Sequence, residues 1–230
     1  IGTAHIEFFG SQRGIAEEKA TLFARARQSC VASETCAQMS ILRAKSGSRL
    51  HEVDPEPDWL APALSAILPG RHNLSNAALA FAVSESLGVR REQALAALPV
   101  LRMPGARWRR VDVRGVRFID DTYNANPDSM AAALKTFAAM ETPGRKLAVL
   151  GDMFELGVDS PRYHAEVLDL AQSLGFDAVI VVGSAFPDDA AVHRYPTVAS
   201  LKVDVSRLFQ PGDTVLLKAS HGLKLGEILV

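Results

Sequence analysis

Cysteine, net charge and long apolar runs are all scarce in this chain, and each scarcity closes off a class of function. Cys30 and Cys36 are its only thiols in 230 residues. Their spacing fits no common zinc pattern, and so few cysteines predict a reducing, cytoplasmic setting. Against 26 acidic residues stand 25 basic ones, a net charge of −1, so the basic footprint of a nucleic-acid binder is missing. No apolar run approaches the roughly 20 residues that span a bilayer. Ile1–Glu7 also lacks the basic-then-apolar order of a signal peptide, so no membrane insertion is expected. The chain has no G-x-x-x-x-G-K-[ST] phosphate loop, no G-x-G-x-x-G after a strand and no G-x-S-x-G. The last two absences argue against a dinucleotide oxidoreductase and a serine hydrolase.

What remains is ordinary globular composition, 48% apolar and 22% charged, in a length that suits one or two domains. The chain opens on Ile1 rather than Met, which predicts either processing or a piece of something longer. Gly10-Ser11 opens a helix carrying Ile15, Lys19, Leu22 and Phe23 at helical intervals. Residues 26 to 68 are polar and irregular and read as a surface excursion with short strands. Leu74, Ala77, Ala78, Phe81 and Ala82 mark a second helix that Gly88 can end. A third covers Glu92 to Leu98, and a domain break is expected just behind Pro104-Gly105, giving domains 1–106 and 107–230.

From residue 109 strands and helices alternate. Strands are expected at Val116–Asp120, Leu147–Leu150, Ala178–Val182 and Thr214–Leu217. Asn126-Pro127-Asp128 and Ser160-Pro161 start helices, because a polar cap followed by proline suits the first turn. Another helix spans Thr197–Phe209. Such alternation predicts a doubly wound, Rossmann-like α/β domain whose ligands gather at the carboxyl ends of the strands. Those ends carry Asp120 to Asn126, Gly151 to Gly157, Gly183-Ser184 and Lys218 to Gly222. Asp121 could bond a ribose or organise water, Lys218 and Ser220 could hold a carboxylate or phosphate, and Asn124 and Asn126 could read an amide. Equally, Asp and Asn at strand ends can simply cap turns and helices, and Asn126 is fully explained as a helix cap. His5 and Lys19 stay ambiguous on their own, since a protonated lysine is a poor metal ligand.

Several segments taken together narrow this. Ile1-Gly2-Thr3-Ala4-His5-Ile6-Glu7 with Phe9-Gly10-Ser11, and Pro69-Gly70-Arg71-His72-Asn73 with Asn76, resemble the central ATPase domain of the Mur ligases. Asp120-Asp121-Thr122-Tyr123-Asn124-Ala125-Asn126-Pro127-Asp128-Ser129-Met130 is similar to the C-terminal domain of that family. So is Gly151-Asp152-Met153 with Glu155-Leu156-Gly157. The resemblance covers residues 1 to 25 and 68 to 230. It implies a partial α/β central domain over 1–106 and the family's C-terminal domain over 107–230.

The implied activity is ATP-dependent amide-bond formation in cell-wall precursor synthesis, with UDP-N-acetylmuramoyl-tripeptide and D-alanyl-D-alanine as substrates. Carried over by position, His5 would be a magnesium ligand and Lys19 a lysine carbamylated to become one. Asn73 and Asn76 would sit at the adenine, Arg107 at the ATP phosphates and Asp121 near the ribose. Tyr123, Asn124, Asn126, Lys218 and Ser220 would line the side of the incoming dipeptide. The resemblance also implies a monomer.

Three departures stand out. The family usually reads K-G-S-R where this chain has Lys218-Ala219-Ser220-His221, so a bidentate arginine grip is lost. Gly226 stands where a glutamate is common, and residues 26–68 are shorter than the family's segment. The family's phosphate loop and UDP-binding domain precede the point matched by Ile1. The expectation is therefore a C-terminal half, inactive alone and needing the N-terminal half. The alternatives are a non-catalytic module that binds the dipeptide or nucleotide, and a sister ligase such as another Mur enzyme or a folylpolyglutamate synthase.

Overall fold

A computed structural model describes residues 1–229. The chain divides into two compact units, Ile1–Arg102 and Met103–Val230. The Pro104-Gly105 turn falls within the second unit, for a visible reason. Tyr123 donates its backbone N–H to Ala106 O at 3.0 Å, and a Cβ on Gly105 (φ 70°) would lie 3.0 Å from the Tyr123 ring.

In the first unit, α1 (Ile6–Phe9) leads into α2 (Gln12–Arg25), whose cap Ser11 accepts from Gly14 N. The irregular stretch of the sequence holds a parallel pair of strands, β1 (Cys30–Ser33) and β2 (Leu50–Val53), linked through α3 (Met39–Ser46). A small core of Ala20, Ala32, Met39 and Leu42 joins α2 and α3 to this sheet. Then follow α4 (Ala61–Ser65), α5 (Arg71–Ser86) and α6 (Arg91–Ala97). Gly88 takes φ 87° just past α5, as the expected stop requires.

The second unit is a six-stranded sheet in the order β3-β4-β8-β5-β6-β7. Its strands are β3 (Arg109–Val113), β4 (Val116–Asp120), β5 (Lys146–Gly151), β6 (Ala178–Val182), β7 (His193–Tyr195) and β8 (Thr214–Lys218). β3 runs antiparallel to β4, and every other pairing is parallel. Arg114 and Gly115, both at positive φ (51° and 80°), make the two-residue turn that joins β3 to β4.

Helices α7 (Pro127–Ala138), α8 (Ser160–Ser173) and α9 (Val198–Leu208) cover the sheet. Phe118, Val149, Ile180 and Val215 face one way into a core shared with Leu201 of α9 and Phe209. The alternate strand positions Ile119, Ala148, Leu150, Val181 and Leu216 are also fully buried, as are Met130, Leu134, Phe137 and Ala171 on α7 and α8. Burial on both faces explains why these strands read as unbroken apolar runs. The doubly wound α/β class expected from the sequence is the fold observed. No helix among the described residues is long and apolar enough to cross a membrane.

Candidate functional site

The carboxyl ends of β4, β8, β5 and β6 lie side by side, since these strands are neighbours and parallel. At the centre, Lys218 is 3% exposed, and its Nζ donates to Asp121 Oδ2 at 2.7 Å and to Asn124 O at 3.1 Å. Asp121 is held from its other side by the backbone N–H of Trp108 on Oδ1 at 3.2 Å. The lysine thus ties the β8 end to the loop after β4. A buried charge is tolerable only when paired and hydrogen-bonded in this way.

Asp120, 1% exposed, takes the Thr122 hydroxyl at 2.7 Å on Oδ1 and Arg109 at 2.7 Å on Oδ2. Its role is to lock β3 and the turn to the end of β4. Asn126 caps α7: its Oδ1 accepts from Ser129 N at 2.9 Å, and its own N–H donates to Ser129 Oγ at 3.0 Å. Pro127 at the first helical position completes that start.

Ser220, 3% exposed, accepts the Phe154 N–H at 2.9 Å and donates toward Ala125 O at 3.4 Å. It cross-links three strand ends. The Asp152 carboxylate accepts the backbone N–H groups of Ser184 at 3.0 Å and Ala185 at 3.1 Å. Gly183 (φ 117°) passes so close that any Cβ there would strike this carboxylate. The departure at Ala219 is accommodated: its methyl is fully buried and packs over Gly151, where a Cβ would clash with it.

The outward layer differs in character. Tyr123 is 44% exposed, with the Arg107 guanidinium 3.5 Å above its ring centroid. The ring of His221 lies 6.2 Å from the same tyrosine and tilted at 49° to it, so a histidine, a tyrosine and an arginine cluster at the rim. Asn124 is also exposed, and its Oδ1 accepts from Ala125 N at 2.9 Å. The expected residues therefore separate by burial. Tyr123 and Asn124 are presented outward and Arg107 is half-buried, while Lys218 and Ser220 are buried beneath them.

His164, to which the sequence assigns no site role for want of a G-x-S-x-G partner, is 0% exposed. Its Nε2 accepts the Met153 N–H at 2.9 Å, and its Nδ1 lies 2.7 Å from Ser160 O. These partners fix a neutral ring protonated at Nδ1, and burial pushes its pKa down. A signal was present: His164 falls at helical spacing with the buried Val167, Leu168 and Ala171 of α8.

In the first unit Asn73 and Asn76 are one helical turn apart on α5. Asn73 is buried and donates its side-chain N–H to Pro69 O at 2.7 Å, whereas Asn76 is exposed. His5 (φ 64°) and Lys19 are exposed on α1's leading turn and on α2. Among the described residues no group of three or more His, Cys, Asp or Glu side chains could hold a metal ion. Magnesium takes about six oxygen ligands, while His5 offers a nitrogen and Lys19 a cation unless it is carbamylated. These two residues do not by themselves form a magnesium site.

Residues 106–221 match the Mur ligase, glutamate ligase domain. A UDP-N-acetylmuramoyl-tripeptide–D-alanyl-D-alanine ligase of Synechocystis is 32% identical over 254 residues, covering 100% of this chain and 55% of the relative. The crystal structure of a MurF from Acinetobacter baumannii superposes with a TM-score of 0.79 at 25% identity, covering 100% of this chain and 57% of that one. A Thermotoga maritima MurF ligase in complex with ADP gives 0.76 at 21%, covering 100% and 59%. The chain spans a little over half the length of these relatives. On the domain match, which takes in half of its residues, the chain belongs to the Mur ligase family.

Proposed function

We propose that this chain is part of an ATP-dependent ligase that joins D-alanyl-D-alanine to UDP-N-acetylmuramoyl-tripeptide. The observation that carries the reading is the layered rim of the second unit, where exposed Tyr123 and Asn124, with half-buried Arg107 over the tyrosine ring, rest on the ion pair of buried Lys218 with half-buried Asp121. The Synechocystis relative bears that activity in its name, and the Thermotoga protein holds ADP. In the reaction the γ-phosphoryl group of ATP passes to the tripeptide carboxylate, leaving ADP and an acyl phosphate. The dipeptide amine then attacks the acyl carbon, and the tetrahedral intermediate expels inorganic phosphate.

The chain's residues bind and orient in this scheme. Arg107, stacked on an aromatic face, is a pre-oriented fork of donors for a phosphate or carboxylate oxygen. Asn124 turns its amide toward the dipeptide, Lys218 and Asp121 hold the loop that carries it, and Asn126 fixes the start of α7 behind it. Ser220 keeps the β8 and β5 ends in register. Asn76 and Asn73 are assigned to the adenine. His5 and a carbamylated Lys19 would supply only a part of a magnesium shell. Such preorganised donors act chiefly on charge that develops during the reaction.

The test is phosphate release coupled to amide formation, with ATP, the UDP-tripeptide and the dipeptide. The protein read from its whole coding frame is expected to form one amide per phosphate, and the 230-residue chain alone to form none. Ligation of glutamate in place of the dipeptide would move the reading to a sister ligase. Binding of dipeptide or nucleotide without turnover by the whole protein would replace catalysis with a binding role.

A further inference from the structure

His164 lies outside every motif assigned to substrate, yet its contacts run straight to the rim. From α8 the imidazole reaches the first residues beyond β5: Nε2 accepts the Met153 N–H at 2.9 Å. The neighbours of Met153 on both sides bind Ser220. Asp152 O accepts the Ser220 N–H at 3.2 Å, and Phe154 N–H donates to Ser220 Oγ at 2.9 Å. Ser220 Oγ in turn leans toward Ala125 O, inside the exposed Tyr123-Asn124 loop. On its far side the ring is fixed by Ser160 O at 2.7 Å, and the edge of Phe186 packs against it with centroids 4.8 Å apart. A histidine with both nitrogens engaged and no exposure cannot swing to a substrate. It can set where the 152–154 backbone sits.

We propose that His164 is a positioning residue for the ligase rim, holding residues 152–154 so that they clamp Ser220 beneath the Tyr123-Asn124 loop. Its value to catalysis rests on the ligase reading above, whereas its hold on the rim does not. The charged group acting on the imidazole is Asp152, the first residue beyond β5, and Ser160 and Phe186 contact it as neutral groups. Protonation places a hydrogen on Nε2, opposite the Met153 N–H, and forces that bond apart. Acid therefore loosens the rim through this one ring, and burial, which outweighs the opposing Ser160 O bond and Asp152 charge, holds its pKa below the ordinary histidine value.

Two variants of the 230-residue chain test this by amide exchange and histidine 15N spectra. In the parent the 15N shifts should show Nδ1 protonated and Nε2 bare. In His164→Leu, which fills the space without an acceptor, the Met153, Phe154 and Ser220 amides should exchange about tenfold faster or more. Val149 and Ile180 in the strands should keep their protection. His164→Gln, which retains an acceptor for Met153, should restore most of the protection and lose the acid-dependent loosening. In the whole protein the same pair should separate in KM for the dipeptide, raised in the leucine variant and near the parent value in the glutamine one. Unchanged Met153 and Phe154 protection in His164→Leu, or a proton on Nε2 in the parent, would overturn the proposal. Uniform loss of protection across the strands in both variants would also overturn it, by showing a general packing role. If the amides respond as expected while the whole parent protein ligates nothing, the ligase reading fails and the positioning role stands.

Discussion

Lys218 and Asp121, 97 positions apart in the chain, meet at 2.7 Å through Nζ and Oδ2. The lysine side chain is 3% exposed and the aspartate 16%, so the lysine has almost no water to fall back on and the aspartate little if its partner is removed. Lys218→Met is expected to cost about 2–4 kcal/mol in urea unfolding, since it strands a carboxylate and the Asn124 carbonyl together. Asp121→Asn keeps an acceptor and should cost less. Lys218→Arg should rescue poorly, because a planar fork cannot occupy the point from which one ammonium reaches both oxygens. Equal costs for the three variants would show that the pair contributes only bulk.

Tyr123 offers the opposite case. Its ring and the Arg107 guanidinium are in contact at the surface, where a cation–π pair contributes only about 0.5–1 kcal/mol. Tyr123→Ala should leave the unfolding midpoint almost unmoved, yet free Arg107 to wander. Ligation by the whole protein should fall by about tenfold or more if the arginine must be pre-oriented. Tyr123→Phe keeps the ring face and should remain near the parent. A phenylalanine variant as impaired as the alanine one would assign the role to the hydroxyl instead.

Gly183→Ala should be among the most damaging single-methyl changes in the second unit. The backbone there sits at φ 117°, and the new Cβ would strike the Asp152 carboxylate that binds the Ser184 and Ala185 amides. Strain and lost charge-assisted hydrogen bonds together should lower stability by about 2–4 kcal/mol. Thermal unfolding reads this directly, and a shift of less than a degree would contradict it.

Acid should act on the second unit through Asp213, just ahead of β8. Burial works to raise its pKa, but the Arg145 fork at 3.0 and 2.6 Å and the Gln210 N–H outweigh it and hold the carboxyl below its ordinary range. The unfolded chain therefore takes up this proton first. The stabilisation is complete above the unfolded pKa of about 3.9 and drains away as pH falls from there through the lower folded value. Arg145 is 42% exposed, so screening limits the effect to about 1–2 kcal/mol. Asp213→Asn should be less stable at neutral pH and should show a shallower loss between pH 4 and the folded value. An unaltered acid slope would remove Asp213 from the account.

The parts legible in the sequence share a physical cause. β4, β5, β6 and β8 are buried on both faces, so their β-branched and leucine runs stand out without any periodic argument. α7 was readable from Asn126-Pro127 because its cap is a local affair of three residues. β3 was missed because Arg109, Arg110 and Asp112 face outward on a half-exposed edge, and its turn uses Arg114-Gly115 in place of the usual Asn-Gly. β7, three residues with a polar start, gives no pattern at all. At the site, chain position picked out Asp121, Lys218 and Ser220, but not which of them would be buried. That depends on β8 lying between β4 and β5, a fact of sheet order that no local window contains. His164 shows the converse, a polar residue whose placement on an apolar helical face was the clue.

The same sheet order bears on how the molecule comes to be. Of the six strands in the second unit, the last to leave the ribosome is β8, which fills the middle of the sheet. Until it arrives, β4 and β5 have open edges facing one another across a vacant lane, and Asp121 has no lysine. The nascent domain thus carries two unpaired, strongly apolar strand edges from the completion of β5 at Gly151 until β8 begins at Thr214, the exposure that invites chaperone capture or edge-to-edge aggregation. Insertion of one five-residue strand then closes the sheet and places Lys218 against Asp121 in a single event.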